Sequence, residues 1–251
     1  MSQRDSEANS PSGPAASDEG VVQLHRAALR GVDFRKARFE RFDLGGSLFE
    51  RCDFRGLRID KRFAPMLVAS PRNTFRHCRF DGADLHRTPL GQSRFEHCTF
   101  DDALLEGIRA EAAEFVDCRF AGPLDGVTFH GMPPSTETVT PPRKRNEFRG
   151  NDFRDAEIGD VLFVGWIDLH AQRWPDDEIY VNVDNFRRRL AKARTEVREW
   201  YERDRRPALA MLDQLAKRWR DQDHVFTRRW SARIDAPDRV QARVWELLEH
   251  A

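Results

Sequence analysis

No stretch of eighteen apolar residues occurs in the sequence, so the segment that a membrane-crossing helix requires is missing. There is no C-x-x-C, no H-E-x-x-H, no G-x-S-x-G and no G-x-x-x-x-G-K-[ST]. Their absence removes the commonest zinc, hydrolase and phosphate-loop signatures. Tyrosine is scarce, with two residues in 251, and 42 basic residues offset 42 acidic ones. Phenylalanine is plentiful at 18. Across the first two thirds of the chain the apolar period is neither 3.6 nor 2, so neither one helix nor a flat strand accounts for it.

The period is five. Large apolar residues recur at Leu24, Leu29, Phe34, Phe39, Leu44, Phe49, Phe54 and Ile59, and again from Phe75 through Phe80, Leu85, Leu90, Phe95, Phe100, Leu105, Ala110, Phe115 and Phe120. Leu124 and Phe129 follow after a skipped residue, and Phe148, Phe153, Ile158 and Phe163 form a last run. Fourteen of the 18 phenylalanines occupy this position. The residue two places earlier is small or medium, as at Val32, Cys52, Cys78, Ala83, Cys98, Cys118 and Ala156. Two inward residues in five, one small and one large, suit a narrow tube with tightly packed corners. A fixed short period signals a repeat architecture and overrides local helix or strand readings.

The units Val32-Asp33-Phe34, Cys52-Asp53-Phe54, Ala83-Asp84-Leu85 and Asn151-Asp152-Phe153 resemble the A(D/N)LXX unit of the pentapeptide-repeat proteins. The resemblance covers residues 22–165. It implies a mainly β fold, a right-handed quadrilateral parallel β-helix with four pentapeptides per coil, the large residue central and the smaller one beside it.

Twenty residues per coil are also visible in the chain. Phe75-Arg76-His77-Cys78-Arg79-Phe80, Phe95-Glu96-His97-Cys98-Thr99-Phe100 and Phe115-Val116-Asp117-Cys118-Arg119-Phe120 repeat at that spacing. Phe49-Glu50-Arg51-Cys52-Asp53-Phe54 precedes them by 26, leaving six extra residues between. About six coils follow, a tube roughly 29 Å long at ~4.8 Å per strand. Phe34, Phe54, Phe80, Phe100, Phe120 and Phe153 are expected to form one core stack. Cys78, Cys98 and Cys118 are expected to rise up one face as reduced, inward thiols, with parallel Cβ vectors unsuited to a disulfide. His77 and His97 are expected to stack outside them on a solvated face.

Two breaks interrupt the repeat, near 60–74 and 130–147. The second holds four prolines, which cannot donate to a strand ladder, and ends in Arg143, Lys144 and Arg145. It is expected to leave the coil as a candidate binding loop. Residues 1–20, rich in Ser, Pro, Ala, Gly and acids, read as a disordered tail without the apolar core of a signal peptide. A cytoplasmic location is expected.

Charge is segregated. Residues 21–80 hold 14 basic and 6 acidic side chains, residues 81–183 hold 10 and 20, and residues 184–251 hold 17 and 12. The acidic stretch supplies a candidate partner-binding face: Asp81, Asp84, Glu96, Asp101, Asp102, Glu106, Glu111 and Glu114. Beyond a linker at 170–183, the period turns helical over 184–251. Asp184 is a candidate N-cap, with an inward stripe of Phe186, Leu190, Ala193, Val197, Trp200 and Tyr201. A second helix is expected to open at Pro207 with Leu209, Leu212, Leu215, Ala216, Trp219, Phe226 and Trp230 inward, and a third near Asp235 with Val240, Val244, Leu247 and Leu248. This domain is expected to cap the tube, to dimerise or to bind a partner. The run Arg187, Arg188, Arg189, Lys192, Arg194 and Arg198 carries interleaved Glu196, Glu199 and Glu202, which favours a solvated helix face over phosphate contacts.

A tube filled with Phe and Leu leaves no interior site, and no catalytic residue, cofactor or metal ligand emerges from the sequence. The resemblance implies a non-enzymatic protein, with the layout of the quinolone-resistance branch that protects or modulates DNA gyrase as a DNA-like rod. The alternative is a general interaction scaffold whose partner docks on the loop or the C-terminal helices. Direct binding of nucleic acid ranks third.

Overall fold

The computed structural model describes residues 21–36, 41–58, 71–135 and 138–251. Phe39, Ile59 and most of the first break lie outside them. Within them the short strands Ala28–Arg30, Leu48–Glu50, Thr74–Arg76, Arg94–Glu96, Glu114–Val116 and Phe148–Arg149 form one six-stranded parallel sheet. Leu29, Phe49, Phe75, Phe95, Phe115 and Phe148 lie in register across it. A second row of parallel pairing runs Asp33–Asp53–Arg79–Thr99 and continues through Arg119–Leu124 and Asp152–Ile158. A third runs Arg58–Asp84–Leu104. The fourth pairs Val21–His25 with Arg41–Gly45, Pro89 with Arg109, and Val127–His130 with Val161–Val164. The chain thus visits four rows and returns one strand further along, which is a β-helix solenoid.

The rows are short because the chain must turn every five residues. Many turns use left-handed backbone: Arg51, His77, His97 and Asp117 have φ of 51–53°, and Gly122 and Gly150 have φ of 76° and 67°. At the two glycines a Cβ would come within 2.1 Å of an Asp102 carboxylate oxygen and 2.0 Å of an Asp117 one, so no other residue fits without displacement.

The large residues pack as two interleaved columns. Phe34, Phe54, Phe80, Phe100, Phe120 and Phe153 stack with centroids 4.7–5.2 Å apart and planes within 8°. Phe49, Phe75, Phe95 and Phe115 form the second column at 4.9–5.1 Å. Between columns the rings meet edge to face, as Phe75 does Phe80 at 5.5 Å and 74°; both geometries suit the ring quadrupole. Phe49 pairs with Phe75 across 26 residues, so the six extra ones leave the column in step.

The small positions form polar ladders beside the columns. Cys52, Cys78, Cys98 and Cys118 are buried free thiols. Cys78, Cys98 and Cys118 donate to the carbonyls of Phe49, Phe75 and Phe95, each at 3.4 Å. Burial, together with its neighbouring thiols, pushes Cys98 up. Asn151 ends the ladder: its Oδ1 accepts from Cys118 N, and its Nδ2 donates to Phe115 O and to Gln172 Oε1. His77 and His97 stack outside at 4.8 Å and 7°.

The coil does not stop at Phe163. Arg173 bridges Asp152 in parallel, and Trp174 stacks on Phe153 at 5.1 Å. Tyr180–Val183 then pairs antiparallel with Val225–Arg228. Phe226 stacks on Trp174 at 4.3 Å, and Tyr180 on Phe226 at 5.2 Å. Three helices complete the domain: α1 (Phe186–Val197), α2 (Glu202–Arg218) and α3 (Asp238–His250). Their apolar faces close on each other around Phe186, Met211, Leu212, Val244 and Trp245. Gln222 ties the domain to the tube, exchanging two hydrogen bonds with the backbone of Ile167.

Several details differ from the helical pattern read in the sequence. Residue 184 is not the cap: Asn185 holds that position with φ 48°, and Asp184 pairs with Arg189 at 2.9 Å. Helix α2 starts at Glu202, leaving Pro207 inside it. Phe226 belongs to a strand and Trp230 is exposed, because α2 ends at Arg218. Tyr201 is 91 % exposed rather than inward. Among the described residues no helix is long and apolar enough to cross a membrane.

Candidate functional site

The eight acidic residues do not share one surface. Glu114 is buried, with a side chain 4 % exposed, and meets Arg72, Arg94 and Arg143 at 2.5, 3.4 and 3.5 Å. Glu96 sits between Arg76 at 2.8 Å and Arg94 at 2.5 Å. Both belong to the wall of the six-stranded sheet, and their charge is spent on arginines. Asp81 and Asp101 are stacked on adjacent coils of the second row. Asp81 pairs with Arg79 at 2.9 Å, and its Oδ1 lies 3.3 Å from Asp101 N. Burial, and then the neighbouring Asp81 and Asp102 carboxylates, push the Asp101 carboxyl up against the pull of Arg119. Asp102 and Glu106 are exposed, Glu111 is half-buried, and Asp84 bonds His86 at 2.9 Å. What remains exposed is Asp102, at the corner after the second row beside the half-buried Asp81 and Asp101, and Glu106, at the next corner of the same coil.

The proline-rich loop is fastened to the tube rather than projecting freely. Thr140 N donates to Gln92 Oε1 at 2.6 Å, and Gln92 Nε2 donates to Thr138 O at 3.0 Å. Arg143 donates to Ala112 O at 2.5 Å and to Asn146 Oδ1 at 3.2 Å. Asn146 in turn donates to the carbonyls of Glu111 and His130. Arg143 is therefore a clamp, placed by the charge of Glu114, and burial pushes its guanidinium down. Lys144 and Arg145 are exposed.

In the helical domain, half of the basic run is engaged internally. Arg187 lies over the Trp166 ring at 4.5 Å. Arg189 donates to the carbonyls of Leu248, Glu249 and Ala251, a cation at the C-terminus of α3. Arg194 pairs with Asp213 at 2.7 Å. A groove of about 490 Å3 passes between the strand pair and α3, bordered by Ile179, Trp230 and Ala242 with Glu178, Arg229 and Asp238. Ile179 is 48 % and Trp230 54 % exposed. The sequence reading missed this groove by turning Trp230 inward. The β-branched and aromatic run Val225-Phe226-Thr227 after the polar Asp221-Gln222-Asp223 is the signal that could have found it. Among the described residues no group of three or more His, Cys, Asp or Glu side chains could hold a metal ion.

Two family models, both of pentapeptide repeats, match the chain: one of nine copies over residues 75–119 and one of eight copies over residues 22–56. The chain carries pentapeptide repeats. The matched segments hold Phe34, Phe54, Phe80 and Phe100 of the first column, which continues beyond them through Phe120 and Phe153. No protein of curated function matches. Among solved structures, a trypsin-treated form of QnrB1, a plasmid-mediated fluoroquinolone resistance protein, is 15 % identical; the match covers 69 % of this chain and 98 % of that one, with a TM-score of 0.29. Full-length QnrB1 is 17 % identical over 70 % and 99 %, with a TM-score of 0.16.

Proposed function

We propose that this pentapeptide-repeat protein is a non-enzymatic, cytoplasmic scaffold that binds DNA gyrase or a related type II topoisomerase and protects or modulates it. In this reading the tube is a right-handed quadrilateral β-helix of about six coils. One observation carries the scaffold reading: the axis is filled by stacked Phe rings, so recognition falls to outer walls and appendages. The gyrase assignment draws on the repeat layout and on the carboxylates of Asp81, Asp101, Asp102 and Glu106. Asp81 and Asp101 lie one coil apart with Asp102 beside them, and such a cluster of carboxylates steers binding toward a basic DNA-binding groove. A supercoiling assay with and without a quinolone tests it. Altered supercoiling, or retained supercoiling in the presence of the drug, is expected; unchanged activity at every protein concentration rejects the assignment.

A second reading is favoured by the exposure of Ile179 and Trp230. Here the partner, or a second copy of the chain, docks on the C-terminal domain. The apolar helix stripes are occupied within the domain, so such contact would use this groove. Trp230→Ala would then abolish capture of gyrase while charge reversal at Asp81 and Asp102 would not.

A further inference from the structure

A cavity of about 210 Å3 lies where the last coils meet the helical domain. Asp125 and Asp160 border it from the tube, and Arg218, Arg228, Arg233 and Trp245 from the domain. Its cations exceed its anions. Arg218 and Arg233 share the one carboxylate of Asp160. Arg228 pairs with no carboxylate among the described residues and donates instead to Ile158 O at 2.7 Å. Trp245 is fully buried, and its indole Nε1 finds no acceptor among the described residues. A buried donor left unmet is costly, and native proteins keep few of them. Three of the lining residues are tryptophans, Trp245 among them, so flat apolar walls stand beside a cationic rim.

We propose that this cavity binds a small planar carboxylate. The ring lies against tryptophan, the carboxylate is taken by Arg228 with its neighbouring guanidiniums, and an oxygen accepts from Trp245 Nε1. Arginine's fixed fork matches a carboxylate in two parallel hydrogen bonds. The volume is below the roughly 300–1,000 Å3 of drug-sized pockets, which limits the ligand to one or two rings. Junctions between structural units are a common place for such sites. Asp125, Gly159 and Asp160 of the tube wall the same cavity, so a ligand that fills it would stabilise the union of tube and domain by mass action.

The test titrates benzoate, nicotinate and indole-3-carboxylate into the full chain by isothermal titration calorimetry, with benzamide as the uncharged control. Saturable binding of at least one carboxylate is expected, with benzamide at least tenfold weaker than benzoate. Arg228→Gln, in a variant whose circular dichroism and melting temperature match the wild type, is expected to weaken the bound carboxylate at least tenfold. Trp245→Phe keeps the wall and removes the donor, and is expected to weaken it several-fold. Absence of binding by all three carboxylates overturns the proposal. So does equal binding of benzamide, or affinity unchanged by Arg228→Gln.

Discussion

Trp174 stacks on Phe153, the last ring of the tube column, with centroids 5.1 Å apart and planes 9° from parallel. Phe226 of the helical domain stacks on Trp174 in turn. One aromatic column therefore runs from Phe34 in the first coils into the C-terminal domain. A solenoid end left bare would expose its core to water, and this cap replaces water with an indole and a phenyl ring. Trp174→Ala should cost about 2–3 kcal/mol, less than a fully buried Trp because the ring is half-buried. Urea unfolding followed by circular dichroism measures it, and a split into two transitions is the expected sign that tube and domain have separated.

The left-handed corners offer a second check. Gly150→Ala places a methyl group against the Asp117 carboxylate at a φ of 67°. A loss of at least about 1 kcal/mol is expected. Gly56, with a φ of 64° and open space around it, should lose less on the same substitution. Equal losses at both would remove the close approach as the cause.

Glu114 decides where the proline-rich loop lies. Glu114→Gln leaves Arg72, Arg94 and Arg143 crowded without their shared carboxylate, a change of the kind that costs about 3–5 kcal/mol when the pair is buried. Limited trypsin digestion is the measurement. Cleavage at Arg143, Lys144 and Arg145 should accelerate in the variant well before the tube unfolds, while the wild type is cut at Lys144 and Arg145 more slowly.

Two carboxylates should respond to pH in opposite senses. Asp101 has a raised pKa in the folded state, so the folded form binds more protons and stability falls as pH rises through that value. Asp101→Asn should therefore stabilise at neutral pH, and the gain should vanish below the ordinary aspartate value of about 3.9. Asp152 is held low, first by its hydrogen bond from the Arg154 side chain. Its contribution is present above about pH 3.9 and is lost as pH falls through the lowered value. Asp152→Asn should destabilise at neutral pH, with the difference shrinking on acidification. Thermal melts from pH 3 to pH 7 would show both.

The columns were legible in the sequence because each large residue meets the same surroundings one coil later. Phe80, Phe100 and Phe120 need no information beyond their own spacing. Helix α1 was legible for a similar reason, since Phe186, Leu190, Ala193 and Val197 all face one core. Phe226 and Trp230 were not, because their distances from Trp219 also satisfy a helical period. Tertiary contacts decided between the readings: the Phe226 ring is taken by Trp174 and Tyr180, and its backbone by Asn182. Trp174 was hidden in a stretch whose Pro175-Asp176-Asp177-Glu178 composition reads as linker. The acidic residues could be listed but not sorted. Which of them keeps its charge depends on arginines as far away as Arg72 and Arg143, brought together by a loop whose register no local pattern encodes.

Recognition by outer surface is the claim on which the functional account turns. Binding of the full chain to purified DNA gyrase, measured by biolayer interferometry at low and moderate salt, tests it most directly. The account predicts saturable binding that weakens with salt and is lost when Asp81, Asp101, Asp102 and Glu106 are changed to lysine in a variant that melts at the wild-type temperature. Binding that is absent in the wild type, or unaffected by those four substitutions and by Trp230→Ala alike, would contradict it.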